Sequence, residues 1–161
     1  MKKVVCMAVY NGVKYLREQL ESVRLQTVSA DKVIIRDDCS TDGTYELIKN
    51  YIENYGLGES WLLFRGEDNI GWEANFGECL KLALDEYDEE KNTRRKSGHV
   101  QYNPDMIVIL SDQDDVWYED RIERTVEIFS RHENIELLVG SFDFLDGDGR
   151  RTNYSKNSGS L

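Results

Sequence analysis

Residues 110–117 read Leu-Ser-Asp-Gln-Asp-Asp-Val-Trp and set three carboxylates, Asp112, Asp114 and Asp115, directly after the apolar run 106–110. A short apolar run with β-branched residues is a buried-strand pattern. Acidic side chains crowded at the end of such a strand repel one another and are costly to keep ionised together. A divalent cation removes that cost, because hard Mg²⁺ or Mn²⁺ prefers oxygen ligands. Mg²⁺ takes only one or two protein carboxylates and fills its other positions with water and substrate phosphate. Asp112-Gln113-Asp114 therefore reads as half of a metal site, with a diphosphate as the other half. The competing reading is an acidic β–α turn that caps the next helix.

Two other segments carry residues suited to a nucleotide. Tyr10, in Ala8-Val9-Tyr10-Asn11-Gly12, offers a ring face on which a nucleobase can stack. Asp38, in Arg36-Asp37-Asp38-Cys39-Ser40-Thr41-Asp42-Gly43-Thr44, is a pure acceptor that suits the ring N–H of uracil, thymine or guanine, which adenine lacks. Structural alternatives stand beside both. Tyr10 can be a half-buried aromatic at a strand end, and Asp37-Asp38 can serve turn and helix-start chemistry, with Asp37 the more structural of the two.

The elements that must position these residues follow from hydrophobic periodicity. Strands are expected at 3–9, 32–37, 61–64, 106–110 and 135–144. Amphipathic helices are expected at 14–26, 44–55, 73–87 and 118–131. Strict alternation of strand and helix with short loops predicts an α/β fold, a doubly wound, mostly parallel sheet flanked by helices. In such a sheet ligands bind outside the carboxyl ends of the strands, at the switch in strand order. A strand order of 3-2-1-4 puts the Tyr10, Asp38 and Asp112 loops around one crevice. Residues 88–103 are polar throughout and read as an exposed insertion, and residues 150–161 as a polar tail after a domain spanning 1–149.

Composition narrows the function classes. The chain has 161 residues, 40% of them hydrophobic, and a formal charge of −11, which disfavours nucleic acid as a partner. An anionic substrate then needs a mediating cation, in line with the acidic cluster. No apolar stretch approaches the roughly 20 residues that a membrane helix needs. Cys6, Cys39 and Cys79 are odd in number, widely spaced and read as reduced structural thiols of a cytoplasmic protein. His99 and His132 stand apart and read as surface residues. Asp146-Gly147-Asp148-Gly149 reads as a hairpin turn, since Arg150 and Asn157 fall where a calcium loop needs ligands.

Four segments in order resemble family 2 glycosyltransferases, inverting enzymes with the GT-A nucleotide-sugar fold. They are Ala8-Val9-Tyr10-Asn11-Gly12 with the helix to Gln26-Thr27, Asp37 through Thr44, Asn69-Ile70-Gly71 with Asn75, and Asp112-Gln113-Asp114-Asp115. The Leu-Ser-Asp-Gln-Asp-Asp-Val-Trp version further resembles bacterial rhamnosyltransferase-like members. The resemblance implies a nucleotide-sugar site formed by Ala8, Tyr10, Asn11, Asp38, Asn75, Asp112 and Asp115. Asp112 and Asp114 would form its metal-binding Asp-x-Asp element for Mg²⁺ or Mn²⁺, Asp114 being the more direct ligand. Ala74 stands where relatives often carry a basic residue. The implied reaction moves a sugar from a dTDP- or UDP-linked donor to a saccharide or lipid-linked acceptor in bacterial cell-surface polysaccharide synthesis. It would take place in the cytoplasm at the inner face of the membrane, with peripheral contact at most.

Family members run on for a hundred or so residues, to a carboxylate that acts as general base. That base is expected to be absent from this chain, Asp143 and Asp146 being poor substitutes, so a catalytically incomplete nucleotide-binding module is the alternative. A sugar nucleotidyltransferase would open with a Gly-rich basic phosphate loop, which 8–12 is not. A receiver-like domain would need a Lys after strand five.

Overall fold

A computed structural model of the chain describes residues 1–90, 106–132, 134–141, 143–145 and 151–152, with backbone alone for 87–90, 145 and 151–152. The order is β1 (Lys2–Val9), α1 (Leu16–Arg24), β2 (Lys32–Asp37), α2 (Thr44–Tyr55), β3 (Trp61–Arg65), α3 (Trp72–Glu90), β4 (Met106–Ser111), α4 (Arg121–Arg131), β5 (Phe144–Leu145) and β6 (Arg151–Thr152). The four long strands form one sheet in the order β3-β2-β1-β4, all parallel. This is the expected α/β fold and the expected strand order.

The near-continuous apolar runs of β1 and β2 arise because a parallel sheet is covered on both faces. Successive side chains alternate between them. Val5, Met7, Val9, Val33, Ile35, Ile107 and Ile109 share one core with Leu16, Leu20 and Val23 of α1, Ile48 and Ile52 of α2, and Ile122 of α4. Val4, Cys6 and Ile34 point the other way and pack on Cys79 and Ala83 of α3. A fully buried side chain of this size contributes roughly 1.5–3 kcal/mol, so the two clusters fix the strand register and with it the edge where the loops emerge.

Helix ends differ from the periodicity where polar side chains intervene. α1 stops at Arg24, not residue 26, because the Gln26 amide leaves the helix line and donates to the carbonyls of Ser22 (2.9 Å) and Tyr118 (2.7 Å). Gln26 Oε1 accepts the Ile122 N–H at 3.0 Å, and Glu119 O accepts the Thr27 N–H at 2.8 Å. These contacts hold 118–120 outside α4, which starts at Arg121. α2 spans its expected residues and ends on Gly56, whose φ of +63° is the left-handed cap conformation.

One expected strand is not found. The described residues between 135 and 143 take no part in a sheet, and Leu137 and Val139 are exposed. A strand needs a neighbouring edge as well as an apolar pattern, and among the described residues here only Phe144–Leu145 has one, pairing antiparallel with Arg151–Thr152. Those last two residues fall in the expected tail. The 146–149 turn, His99 and residues 91–103 of the expected insertion lie outside the described residues, while 88–90 continue α3.

Candidate functional site

The carboxyl ends of β1, β2 and β4 lie side by side, and backbone donors of the β1 loop fasten it to the β2 loop at three successive residues. The N–H groups of Asn11, Gly12 and Val13 donate to Ser40 Oγ (2.9 Å), Thr44 Oγ1 (2.8 Å) and Asp42 Oδ2 (3.1 Å). In return Asn11 Oδ1 accepts the Thr41 N–H at 2.9 Å. Desolvation opposes the Asp42 charge, yet hydrogen bonds from Thr44 and Val13 hold its carboxyl below the usual range. Asn11 and Cys39 sit at φ of +47° and +63°, the left-handed region, and only tight loops hold non-glycine residues there. Toward β4, the Tyr10 N–H donates to Gln113 Oε1 at 2.8 Å and Gln113 Nε2 donates to Tyr10 O at 3.1 Å. The Tyr10 ring itself is exposed.

Asp38 behaves differently from an open acceptor. It is 1% exposed, and its carboxylate accepts Nη1 of Arg36 (3.1 Å) and the N–H groups of Ile70 (3.1 Å) and Gly71 (2.9 Å). It thereby ties the 69–71 loop to the end of β2. Asn75, at 1% exposure, accepts from Arg36 Nη1 at 2.7 Å and donates to the Arg36 carbonyl at 3.2 Å. Its amide is spent on bracing the strand end. Asp37 is fully buried; it accepts the Ser40 N–H at 3.1 Å and faces Arg65 Nε at 3.6 Å. Ala8 lies in β1 opposite Arg36 of β2.

The acidic loop is supported from below by α1. Gln19 Nε2 donates to Ser111 Oγ at 2.7 Å, and the Trp117 N–H donates to Ser22 Oγ at 3.1 Å. Asp112, Asp114 and Asp115 themselves are exposed. Partial desolvation pushes the Asp112 carboxyl above the ordinary range, the Asp115 and Asp114 charges push it further, and Arg121 offsets part of the rise. The Arg121 guanidinium stands 4.3 Å from the centre of the Trp117 ring, and desolvation lowers its pKa against the pull of Asp115 and Asp112. A hard divalent cation fits this donor set, because carboxylate oxygens that repel one another at an open edge are what it stabilises. Among the described residues no three His, Cys, Asp or Glu side chains converge to hold a metal. The chain would thus supply part of a coordination shell, and water or ligand oxygens the rest.

Sequence reasoning passed over Arg36, Gln113 and Arg121. A lone Arg directly after the apolar run Val33-Ile34-Ile35, still within the strand, was the visible signal for the first. For Gln113 it was a neutral amide between two acids. Asp143, weighed as a proton acceptor, is exposed and takes a hydrogen bond from the Tyr118 hydroxyl; Asp146 lies outside the described residues.

Comparison with known proteins gives a consistent picture. The family model for glycosyl transferase family 2 matches residues 4–159. EpsE of Bacillus subtilis is 26% identical over 137 residues, 85% of this chain and 41% of that protein. The dTDP-rhamnosyl transferase RfbG of Shigella flexneri is 29% identical over 126 residues, 75% of this chain and 36% of that protein. The chain thus spans about two fifths of the length of these relatives. Among solved structures, S. aureus TarS 1-349 in complex with UDP superposes with a TM-score of 0.59 at 22% identity, covering 83% of this chain and 33% of that one. A mannosyltransferase from Pyrobaculum calidifontis in complex with GDP-Man and Mn²⁺ does so at 0.58 and 20%, covering 80% and 32%. At these identities the superpositions show a shared fold.

Proposed function

The chain belongs to glycosyl transferase family 2, and from that premise we propose that it forms the donor-binding part of an enzyme that moves a sugar from a nucleoside-diphosphate sugar to a saccharide or lipid-linked acceptor. One observation carries the proposal. The exposed Tyr10 ring and the exposed Asp112–Asp115 carboxylates emerge from neighbouring strand ends and are joined by direct hydrogen bonds through Gln113.

In this reading Tyr10 stacks on the base, with Ala8 and Asn11 shaping the floor beside it. Asp38 offers a ring N–H a share of a carboxylate already held in place by Arg36, Ile70 and Gly71. Asn75 keeps Arg36 aligned, and Asp115 orients the ribose or sugar. Asp112 and Asp114 would hold Mg²⁺ or Mn²⁺, which when bound neutralises charge on the leaving diphosphate. The chain's own residues set the base, the diphosphate and the cation in one frame before any acceptor arrives, which is the positioning share of catalysis. An inverting transfer also needs a carboxylate to take the acceptor proton, and we assign no residue of this chain to that role. The dTDP-rhamnosyl transferase RfbG and the TarS complex with UDP favour dTDP or UDP as the carrier, and the setting we propose is bacterial surface polysaccharide synthesis. Among the described residues no helix is long and apolar enough to cross a membrane.

A thermal-shift titration with UDP, dTDP, GDP and ADP, each with and without Mn²⁺, tests the proposal. A ligand at a hundred times its Kd stabilises by about 2.7 kcal/mol, or roughly 5–10 °C for a chain of this size. The expected result is a metal-dependent rise with UDP, dTDP or GDP and none with ADP. No rise with any of the four removes the donor site.

A further inference from the structure

We infer that Gln113 is a positioning residue that couples the two ends of the bound donor, its carboxamide fastening the Tyr10 loop to the acidic loop so that base binding and metal–diphosphate binding reinforce one another. The inference rests on the donor-site reading above. Two observations carry it.

The first is where the backbone ladder stops. β1 and β4 pair in parallel up to Met7 and Ser111. Beyond that point the Gln113 side chain takes over, accepting the Tyr10 N–H at 2.8 Å and donating to the Tyr10 carbonyl at 3.1 Å. Two opposed bonds to one residue fix orientation as well as distance. Gln suits this because a single amide carries both donor and acceptor, whereas an ionised Glu accepts only. With its side chain spent on Tyr10, Gln113 holds the backbone from which its neighbours Asp112 and Asp114 project toward solvent.

The second is Gly12. Its φ is not among the positive ones, so backbone conformation does not call for glycine there. Space does, as long as the Gln113 amide keeps its place: a Cβ at residue 12 would collide with Gln113 Oε1 and lie 2.7 Å from Gln113 Cδ. The position is bare where the Gln113 amide passes.

A clasp between two subsites is a coupling device, and coupling is read as a ratio of affinities. Binding to the 161-residue chain is measured for Mn²⁺ alone by electron paramagnetic resonance, for uridine alone by ligand-observed NMR, and for UDP with Mn²⁺ by calorimetry. Thymidine and dTDP, or guanosine and GDP, replace the uracil pair where the wild type prefers them. In Gln113→Met the first two affinities stay within about twofold of wild type, while the third falls roughly tenfold, the scale of two lost neutral hydrogen bonds. Gly12→Ala, which displaces the amide without removing it, gives the same selective loss. The double variant is no worse than Gln113→Met, because both act on one contact.

Equal losses in all three measurements would make Gln113 a plain structural strap. Unchanged UDP affinity with Mn²⁺, or additive losses in the double variant, would likewise overturn the coupling. If the wild type binds no nucleoside diphosphate with Mn²⁺, the donor-site reading falls before any variant is made, and the coupling falls with it.

Discussion

Replacing Arg36 by Met isolates the charge that joins Asp38 to Asn75. Arg36 Nη1 lies 3.1 Å from Asp38 Oδ1 and 2.7 Å from Asn75 Oδ1, and the Arg36 and Asp38 side chains are 13% and 2% exposed. Methionine keeps the apolar stem and removes both bonds. Removing one partner of a buried ion pair costs roughly 3–5 kcal/mol, because the remaining charge stays desolvated. The Ile70 and Gly71 N–H groups still serve Asp38 and bring this toward the lower end. Leaving Asn75 Oδ1 without its donor adds about 1 kcal/mol. The sum is about 4 kcal/mol, a large share of the 5–15 kcal/mol typical of a folded domain. With a urea dependence of about 2 kcal/mol per molar, the unfolding midpoint falls by about 2 M at unchanged slope. Adding Asp38→Asn to Arg36→Met removes the stranded charge and recovers at least half of the loss. Urea titrations of the two single variants and the double, followed by tryptophan fluorescence, read all of this. A loss below about 1 kcal/mol in Arg36→Met, or strictly additive losses in the double, would show that the pair does not hold the strand end.

Three further predictions use other parts of the site. Metal binding requires an ionised carboxylate, and Asp112 is raised by desolvation and by Asp115 and Asp114, so protons displace Mn²⁺ on acidification at a higher pH than an isolated Asp would allow. Asp115→Asn lowers the midpoint of that loss in a pH series of Mn²⁺-dependent nucleotide binding; an unmoved midpoint refutes the electrostatic cause. Tyr10→Ala weakens nucleoside-diphosphate affinity by roughly 10- to 100-fold, the range of 1–3 kcal/mol for base–aromatic stacking, whereas Tyr10→Phe stays near wild type, and equal losses in both would point to the hydroxyl instead. Burial pushes the Cys6 thiol far up and that of Cys79 to about 12, while Cys39 is partly exposed; mass spectrometry after iodoacetamide should find one label in the native chain and three in urea, and a second native label would contradict the core packing.

The sheet was legible because each of its strands carries its own pattern. The run Val4-Val5-Cys6-Met7 is apolar on both faces, as a central parallel strand must be, and turn residues follow it at once. The placement of the acidic loop was legible too, since three acids in four residues follow the apolar run of β4 at once. What sequence could not give is partnership. Residues 135–143 read as strand from composition, yet pairing depends on an edge elsewhere in the fold. Asp38 reads as a free acceptor, but the donors that occupy it come from Arg36 two residues back and Ile70 thirty-two residues on. Hydrogen bonds over that separation leave no local periodicity to detect.

The central place of β1 has a consequence for synthesis. Its one edge pairs with β2 soon after both emerge, but its other edge waits for β4, about a hundred residues later in the chain. At ribosomal speeds that interval lasts roughly 5–20 s. Throughout it, Val4 to Met7 present an unpaired and apolar strand edge, the kind of surface on which nascent chains join one another. Yield in a cell would then depend on how fast residues 10–111 are translated and on what shields the first strand meanwhile.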